Sequence, residues 1–206
     1  HPVTWSREVV KDGVVSAVVL NSGGANVSTG PEGFLDTHRT AELLAEAIGK
    51  SAGDVVVCST GLIGVRLQSE KLFAAIAPAV EALSATGGAA AAEAIMTTDT
   101  VAKTAQVTAA DGSWTVGGMA KGAGMLAPAL ATMLCVITTD AVVDAAQAEA
   151  ALRAATRSTF DRVDSDGCMS TSDTVSLLAS GASGVTPDPE EFAAAVRSLC
   201  ADLARQ

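Results

Sequence analysis

Apolar and polar positions along the chain follow two distinct periods. Residues 14–20 and 54–58 are nearly continuous apolar runs with many β-branched side chains, which is typical of buried strands. From Ala41 onward, residues 34–49 place apolar side chains three or four positions apart, which predicts a helix with one buried face. The same criteria predict helices at 69–84, at 89–95, after Asp144 and from Asp188, and strands at 102–109, 114–120, 133–138 and 170–178. This alternation predicts an α/β fold, with mixed sheets covered by helices.

Local signals mark where several of these elements begin, turn or end. Asp188 is followed by proline and two glutamates, which favours a helix start, and Asp144 with a glutamine three residues on resembles a capping box. Asp111-Gly112 predicts a hairpin turn. The chain lacks an initiator methionine and stops at Gln206 inside a predicted helix, so we expect an internal fragment of a longer protein.

Composition and charge limit the classes of partner. The chain has 206 residues, of which 49% are hydrophobic, which is enough for one large domain or parts of two. Its net charge is −10 and its isoelectric point about 4.5, which argues against nucleic acid and anionic membranes as partners. No apolar run reaches the roughly 18 residues that span a membrane, and no signal peptide is recognisable, so we expect a cytoplasmic protein.

The cysteines and histidines do not suggest a zinc site or a Ser-His-Asp triad. The four cysteines are scattered without close pairs, which favours free thiols over a disulfide framework or a zinc site. The only histidines are His1 and His38, and we expect His38, near the buried stripe of its helix, to be a packed or capping histidine and not a catalyst. A Ser-His-Asp mechanism is therefore disfavoured, and an acyl-transfer enzyme built on this chain needs another general base.

Three polar residues stand at the ends of predicted strands. Thr132 lies between a glycine-rich loop and a strand, where threonine is also a common structural residue. Thr60-Gly61 follows another strand and offers a hydroxyl beside a backbone N–H, which can form an oxyanion hole or an ordinary loop. Lys121 is the only cation of the glycine-rich stretch and suits a substrate carboxylate, but a surface lysine is the alternative.

Two other patterns are misleading. Residues 122–127 fit a loose dinucleotide-binding pattern, but Pro128 and the strand-like run after it leave no room for the helix that such a site needs. Residues 161–167 resemble a calcium loop, yet Arg162 falls on the first ligand position and cannot coordinate a cation.

Five motifs in order resemble the ornithine acetyltransferase (glutamate N-acetyltransferase) family of arginine biosynthesis, and the resemblance covers nearly the whole chain. The motifs lie at 21–30, 58–64, 96–99, 117–125 and 131–134. The resemblance implies an αββα sandwich like that of N-terminal-nucleophile enzymes. It also implies self-cleavage between Ala131 and Thr132. Residues 1–206 would then be part of one α/β catalytic domain, with 1–131 ending the α chain and 132–206 starting the β chain.

The same resemblance implies roles for individual residues. Thr132 is expected to be the catalytic nucleophile, Thr60 and Gly61 the oxyanion hole, and Thr97 and Lys121 substrate-binding residues. The implied reaction moves acetyl from N-acetylornithine to glutamate through an acetyl-threonine enzyme, without a metal or an organic cofactor, although acetyl-CoA is a possible second donor. The implied assembly is a heterotetramer of two α and two β chains.

The chemistry of the implied nucleophile is self-consistent. Cleavage before Thr132 frees an α-amino group whose reference pKa is about 7.7–8.0, so the nucleophile carries its own base. Two departures from the family pattern, at Val27-Ser28 and at Ser172, leave the substrate preference open. The acidic substrate-binding residue of the family is expected beyond Gln206.

Three alternatives remain open at the level of sequence. One is a variant of the same family in a secondary-metabolite pathway. Another is an N-terminal-nucleophile aminopeptidase or amidohydrolase of similar fold, with water as the acceptor. The third is an uncleaved binding or assembly piece in which Thr132 is structural.

Overall fold

A computed structural model describes residues 1–123, 132–163 and 170–206, and these contain six α-helices and six strands. The elements are α1 (Pro2–Val9), β1 (Ala17–Asn21), α2 (Gly30–Ile48), β2 (Val55–Ser59), α3 (Ser69–Glu81), α4 (Gly88–Ala94), β3 (Lys103–Thr108), β4 (Thr115–Lys121), β5 (Leu134–Thr139), α5 (Ala145–Ser158), β6 (Thr174–Ala179) and α6 (Pro189–Arg205). None of the helices in these ranges is long and apolar enough to cross a membrane.

The strands form two sheets of different size. β1 and β2 pair in parallel, and the second sheet has the order β3-β4-β5-β6. In the second sheet β3, β4 and β5 are antiparallel neighbours, whereas β5 and β6 run parallel. The prediction of an α/β fold with mixed sheets and covering helices is confirmed.

Three apolar clusters set the order of the layers. One lies between α2, α3 and the outer face of β1 and β2, and another between α5, α6 and the outer face of the four-stranded sheet. Gly118 of β4 lets α6 approach closely, since a Cβ there would lie 3.1 Å from Leu199 Cδ2. The third cluster joins the two sheets through Val56, Cys58 and Leu134. The layers therefore run helix, sheet, sheet, helix, as the resemblance implied.

The predicted start and turn signals are confirmed. The Asp188 carboxylate accepts hydrogen bonds from the N–H groups of Glu190 and Glu191 at the start of α6. The Asp144 carboxylate accepts one from Gln147 N–H at 2.8 Å. Gly112 adopts a φ of +75° in the turn between β3 and β4, a conformation that glycine reaches without strain.

Several predicted boundaries were wrong. β6 begins at Thr174 and not at residue 170, because Ser170 Oγ accepts the Ser172 N–H and closes a local turn. α2 begins at Gly30, α3 ends at Glu81, and α1 was not predicted. β1 is half-buried along its length and not buried on both faces, because β2 is its only strand neighbour in the described ranges.

We expect Phe192→Ala to lower the free energy of unfolding by about 3–5 kcal/mol, because it empties a fully enclosed site in the core. Phe192 is 0% exposed and packs against Trp114 with ring centroids 5.8 Å apart. Phe34→Ala is the matched control, since Phe34 is 38% exposed and should cost less than half as much. Denaturant unfolding of the full-length variants measures both, and equal losses would contradict the assignment of the core.

Candidate active site

The candidate site lies at one end of the four-stranded sheet, where the end of β4 meets the starts of β5 and β6. Lys121, the last residue of β4, pairs with Leu134, the first residue of β5. Leu134 also pairs with Thr174, the first residue of β6. Thr132 precedes β5 by two residues, so the pairing places it between the end of β4 and the start of β6.

Thr132 is buried at this junction. The residue is 4% exposed, and its Oγ1 accepts a hydrogen bond from Ser170 Oγ at 3.1 Å. The residue after it, Met133, donates its N–H to the Asp173 carboxylate at 2.8 Å and accepts from Thr174 N–H at 3.1 Å. The turn before β6 therefore holds the main chain beside Thr132 on both its donor and its acceptor side.

Lys121 joins the two sheets. Its Nζ donates to Thr60 Oγ1 at 3.0 Å and to the carbonyl oxygen of Thr132 at 2.5 Å. Thr60 follows β2 directly, so one ammonium group connects the end of the small sheet with the start of β5. Lys121 is only 1% exposed, and the alternative of a surface lysine is therefore wrong.

Asp99 fixes the backbone that follows Lys121. Its side chain is fully buried, and its two carboxylate oxygens accept from Gly122 N–H at 3.2 and 3.0 Å. It also pairs with Lys103 Nζ at 2.5 Å. A buried carboxylate needs partners of this kind, and here they fix the backbone directly after the end of β4.

Burial and neighbouring charges set the pKa of Lys121. Desolvation lowers the pKa from its ordinary value of 10.5, and Lys103 lowers it further. The carboxylates of Asp99 and Asp173 act in the opposite direction. The two acceptors on Lys121 offset part of the cost of keeping an ammonium group out of water.

The Thr60-Gly61 segment can present two donors to a developing oxyanion. The Thr60 N–H is used by the Asn21 carbonyl at 3.0 Å, so Thr60 offers its hydroxyl. Because Lys121 donates to the oxygen of that hydroxyl, its proton is available for another acceptor. Gly61 has a φ of +128°, and a Cβ there would lie 2.8 Å from Gly24 N, so only glycine fits.

The ArgJ family model matches residues 1–206, the whole of the chain.

The chain belongs to the ArgJ family.

Its relatives agree over the full chain. It is 67% identical over 205 residues to the arginine biosynthesis bifunctional protein ArgJ of Streptomyces avermitilis, covering 100% of this chain and 53% of the relative. The ArgJ of Bifidobacterium longum is 58% identical over 207 residues with the same coverage. The chain therefore spans about half the length of the curated relatives it matches.

Two solved ArgJ-family structures resemble the described fold. The ornithine acetyltransferase of Mycobacterium tuberculosis, solved with ornithine, is 54% identical with a TM-score of 0.58, covering 63% of this chain and 70% of that chain. The bifunctional ArgJ of Bacillus halodurans is 33% identical with a TM-score of 0.52, covering 64% and 69%.

Not every predicted site residue of this ArgJ-family chain reaches the junction. Thr97 lies two residues before Asp99 with an exposed side chain, and no hydrogen bond joins it to Thr132 or Lys121 among the described atoms. Ala131 lies outside the described residues. The catalytic and substrate-binding roles, and the cleavage, stay predictions.

The structure adds residues that sequence reasoning did not single out. Ser170 contacts the Thr132 hydroxyl, Asp173 binds the next backbone N–H, and Asp99 with Lys103 supports the end of β4. The motif at 96–99 contained Asp99, but without an assigned role. For Ser170 and Asp173 the missing information was the parallel pairing of β5 and β6.

The described thiols are poor nucleophiles. Burial raises the pKa of Cys58 to about 12 and that of Cys200 to about 11, and it also raises the pKa of Cys135. No two of these three form a disulfide. His38 packs against Trp5 and Phe34 away from the junction, as predicted for a packed histidine.

The two misleading patterns fall partly outside the described residues. These are positions 124–127 of the dinucleotide pattern and 164–167 of the calcium-like loop. Across 1–123, 132–163 and 170–206, no group of three or more potential metal ligands occurs among His, Cys, Asp and Glu.

We expect Gly61→Ala to destabilise the protein by about 3 kcal/mol, because it adds both backbone strain and a clash with Gly24. Gly64→Ala is the matched control: its φ is also positive, at +79°, but its Cβ would meet nothing within 4 Å. Strain alone should cost that variant about 1–2 kcal/mol. Denaturant unfolding gives both values, and equal losses would argue against the close approach at Gly61.

Lys121 predicts a specific dependence of stability on pH. Between its lowered pKa and 10.5 the unfolded state binds more protons than the folded state, so this group makes the free energy of unfolding rise with pH. Lys121→Met lacks the titrating group. We therefore expect the wild type to gain stability relative to Lys121→Met as the pH is raised from the lowered pKa toward 10.5. Denaturant titrations at several pH values measure this, and a constant difference would contradict a lowered pKa.

Proposed function

We propose that the protein carrying this chain is an acetyltransferase of arginine biosynthesis that moves acetyl from N-acetylornithine to glutamate. Thr132 is the nucleophile, freed by self-cleavage of the Ala131–Thr132 bond. The observation that carries the proposal is the buried contact of Lys121 with both Thr60 Oγ1 and the Thr132 carbonyl, which brings two of the implied catalytic residues to one point. The arginine-biosynthesis role of the ArgJ relatives and the ornithine acetyltransferase of Mycobacterium tuberculosis support the same conclusion.

Maturation begins with attack of Thr132 Oγ1 on the carbonyl carbon of Ala131. The C–N bond breaks as the ester C–O bond forms, and the nitrogen takes up the proton that Oγ1 gives up. Water then hydrolyses the ester, which leaves a carboxylate on Ala131 and a free α-amino group on Thr132. That amine has a reference pKa of about 7.7–8.0, so near neutral pH a useful fraction is free base.

Acetyl transfer uses the same oxygen twice. The α-amino group accepts the proton of Oγ1 as Oγ1 attacks the acetyl carbonyl of N-acetylornithine, and ornithine leaves after its nitrogen is protonated. The amine of glutamate then attacks the acetyl-threonine ester. In both steps the oxyanion is held by the Thr60 hydroxyl and the Gly61 N–H, and removing one such donor typically costs about 10²–10³ in rate.

Lys121 has a place in this scheme that agrees with its contacts. An ammonium group has three donors, and two are used by Thr60 and Thr132. In this proposal the third binds a carboxylate of the substrate, with Thr97 as a further substrate contact. The pairing with Thr60 keeps the oxyanion donor and the carboxylate-binding group in a fixed relation.

We also propose an assembly and a cellular location for the protein. Residues 1–131 end the α chain and 132–206 begin the β chain of one catalytic domain, and two of each form a heterotetramer. No metal or organic cofactor takes part, and acetyl-CoA is a second candidate donor. The location is cytoplasmic, which the biosynthetic role of the relatives supports.

The first test is the intact mass of the purified full-length protein under denaturing conditions, beside Thr132→Ala. We expect two fragments in the wild type, the second beginning at Thr132, and one uncut chain in the variant. Thr138→Ala is the matched control, because it removes an exposed threonine from β5 and should still be cut. An uncut wild type would contradict the proposed self-cleavage and would assign Thr132 a structural role.

The acyl donor and acceptor follow from the same mass measurement. Incubation of the cut protein with N-acetylornithine should add one acetyl group to the fragment beginning at Thr132, and glutamate should remove it as N-acetylglutamate. Labelling by acetyl-CoA alone would add the second donor. Release of acetate without glutamate would instead identify a hydrolase, and no labelling by any donor would contradict the transferase.

A further inference from the structure

The hydroxyl of Thr132 has a side-chain partner that the proposed mechanism does not use. Ser170 Oγ lies 3.1 Å from Thr132 Oγ1, across 38 positions of sequence. Ser170 is half-buried beside a threonine that is 4% exposed, so little water competes for this contact. The contact therefore acts on the reacting oxygen itself.

The direction of this hydrogen bond follows from its neighbour. The N–H of Ser172 donates to Ser170 Oγ at 3.1 Å. A backbone N–H can only donate, so Ser170 Oγ accepts there with one lone pair, while its own proton is donated to Thr132 Oγ1. Thr132 Oγ1 thus accepts from Ser170, and its own proton and second lone pair stay available for a base and for an electrophilic carbon.

The turn that carries Ser170 is attached to the chain beside Thr132. Asp173 accepts from Met133 N–H, and Thr174 N–H donates to the Met133 carbonyl. Thr174 also donates through its hydroxyl to the Ser172 carbonyl at 3.1 Å, which closes the turn internally. The residues that follow Ser170 are therefore fixed to the chain beside Thr132.

We propose that Ser170 is a positioning residue for the nucleophile: its hydroxyl selects the side-chain rotamer of Thr132 in which the hydroxyl proton faces the residue's own α-amino nitrogen. A threonine side chain otherwise has three staggered positions for Oγ1. The same hydrogen bond becomes stronger as negative charge develops on Oγ1, since bonds to charged oxygens are stronger than neutral ones. This inference rests on the proposed function, in which Thr132 Oγ1 is the attacking atom.

A serine that only shapes the turn would behave differently in kinetics. Loss of a positioning hydrogen bond lowers kcat and kcat/KM together, with little change in KM, because the bond matters most in the transition state. Loss of turn structure instead lowers stability and weakens substrate binding. A threonine at position 170 restores the hydroxyl, whereas alanine does not.

The experiment compares Ser170→Ala, Ser170→Thr and the control Thr171→Ala in the full-length protein. Thr171 lies in the same turn with an exposed side chain, and among the described side chains its hydroxyl is hydrogen-bonded only to Ser172 Oγ, at 3.3 Å. Self-cleavage is followed by intact mass, and acetyl-Thr132 formation from N-acetylornithine by rapid quench. Thermal unfolding of each variant is compared with that of uncut Thr132→Ala.

We expect Ser170→Ala to slow self-cleavage and acetyl-Thr132 formation by about 10- to 100-fold, with the KM for N-acetylornithine nearly unchanged. Ser170→Thr should recover most of both rates. In the pH profile of kcat/KM the plateau should fall in Ser170→Ala while the midpoint of the acid limb stays, because the α-amino base is unchanged. A Ser170→Ala protein that never cuts but unfolds at the same temperature as Thr132→Ala, with Ser170→Thr active, supports the inference at the first step.

Ser170→Ala with wild-type rates of cleavage and acetylation would overturn the inference while leaving the proposed function intact. Loss of activity in both Ser170 variants together with a lowered unfolding temperature would overturn it too, by assigning a structural role. A wild type that is neither cut nor acetylated would contradict the proposed function itself. The three failures are therefore distinguishable in one set of measurements.

Discussion

A single buried ammonium group determines how the two sheets of this chain meet. Lys121 is among the largest fully buried side chains, and it contacts one residue from each side of the junction. An unpaired charge in this position would be strongly destabilising, so the acceptors on Thr60 and Thr132 are required by the burial itself. The cost of desolvating Lys121 thus fixes the relative position of the two sheets at this end. Apolar packing around Leu134 is non-directional and would by itself allow the sheets to slide past each other.

The residues that hold Lys121 and Thr132 in place take no chemical part in the proposed reaction. The Asp99 carboxylate accepts from Gly122 N–H and is paired with the Lys103 ammonium group. The Asp173 carboxylate accepts from Met133 N–H. Each ties down the backbone directly next to Lys121 or Thr132. Rigid placement of a nucleophile and its oxyanion donors reduces the reorganisation that a reaction requires, so such supports contribute to rate without touching the substrate.

How much of this could be predicted from the sequence depends on the range of the interaction. Asp188, Asp144 and Gly112 act on neighbours two or three residues away, and their effects were predictable from local pattern. The contact of Ser170 with Thr132, 38 positions apart, depends on which strand pairs with β5, and no local periodicity encodes that choice. The wrong start of β6 has the same origin, because a run of serine and threonine suits a strand as well as a turn whose hydroxyls bind the backbone.

The pairing of β4 with β5 has a consequence for the proposed cleavage. These strands are antiparallel neighbours joined by backbone hydrogen bonds from Val116–Thr139 to Lys121–Leu134, and the bond at Ala131–Thr132 lies in their connection. The proposed cleavage would remove the covalent link but none of those ladder bonds, so the two halves would remain one sheet made of two polypeptides. Unfolding of the cut protein would then be a dissociation, with a midpoint that depends on protein concentration. Refolding of the cut protein would lack a tethered partner strand, so under this proposal the uncut precursor is the form best suited to folding.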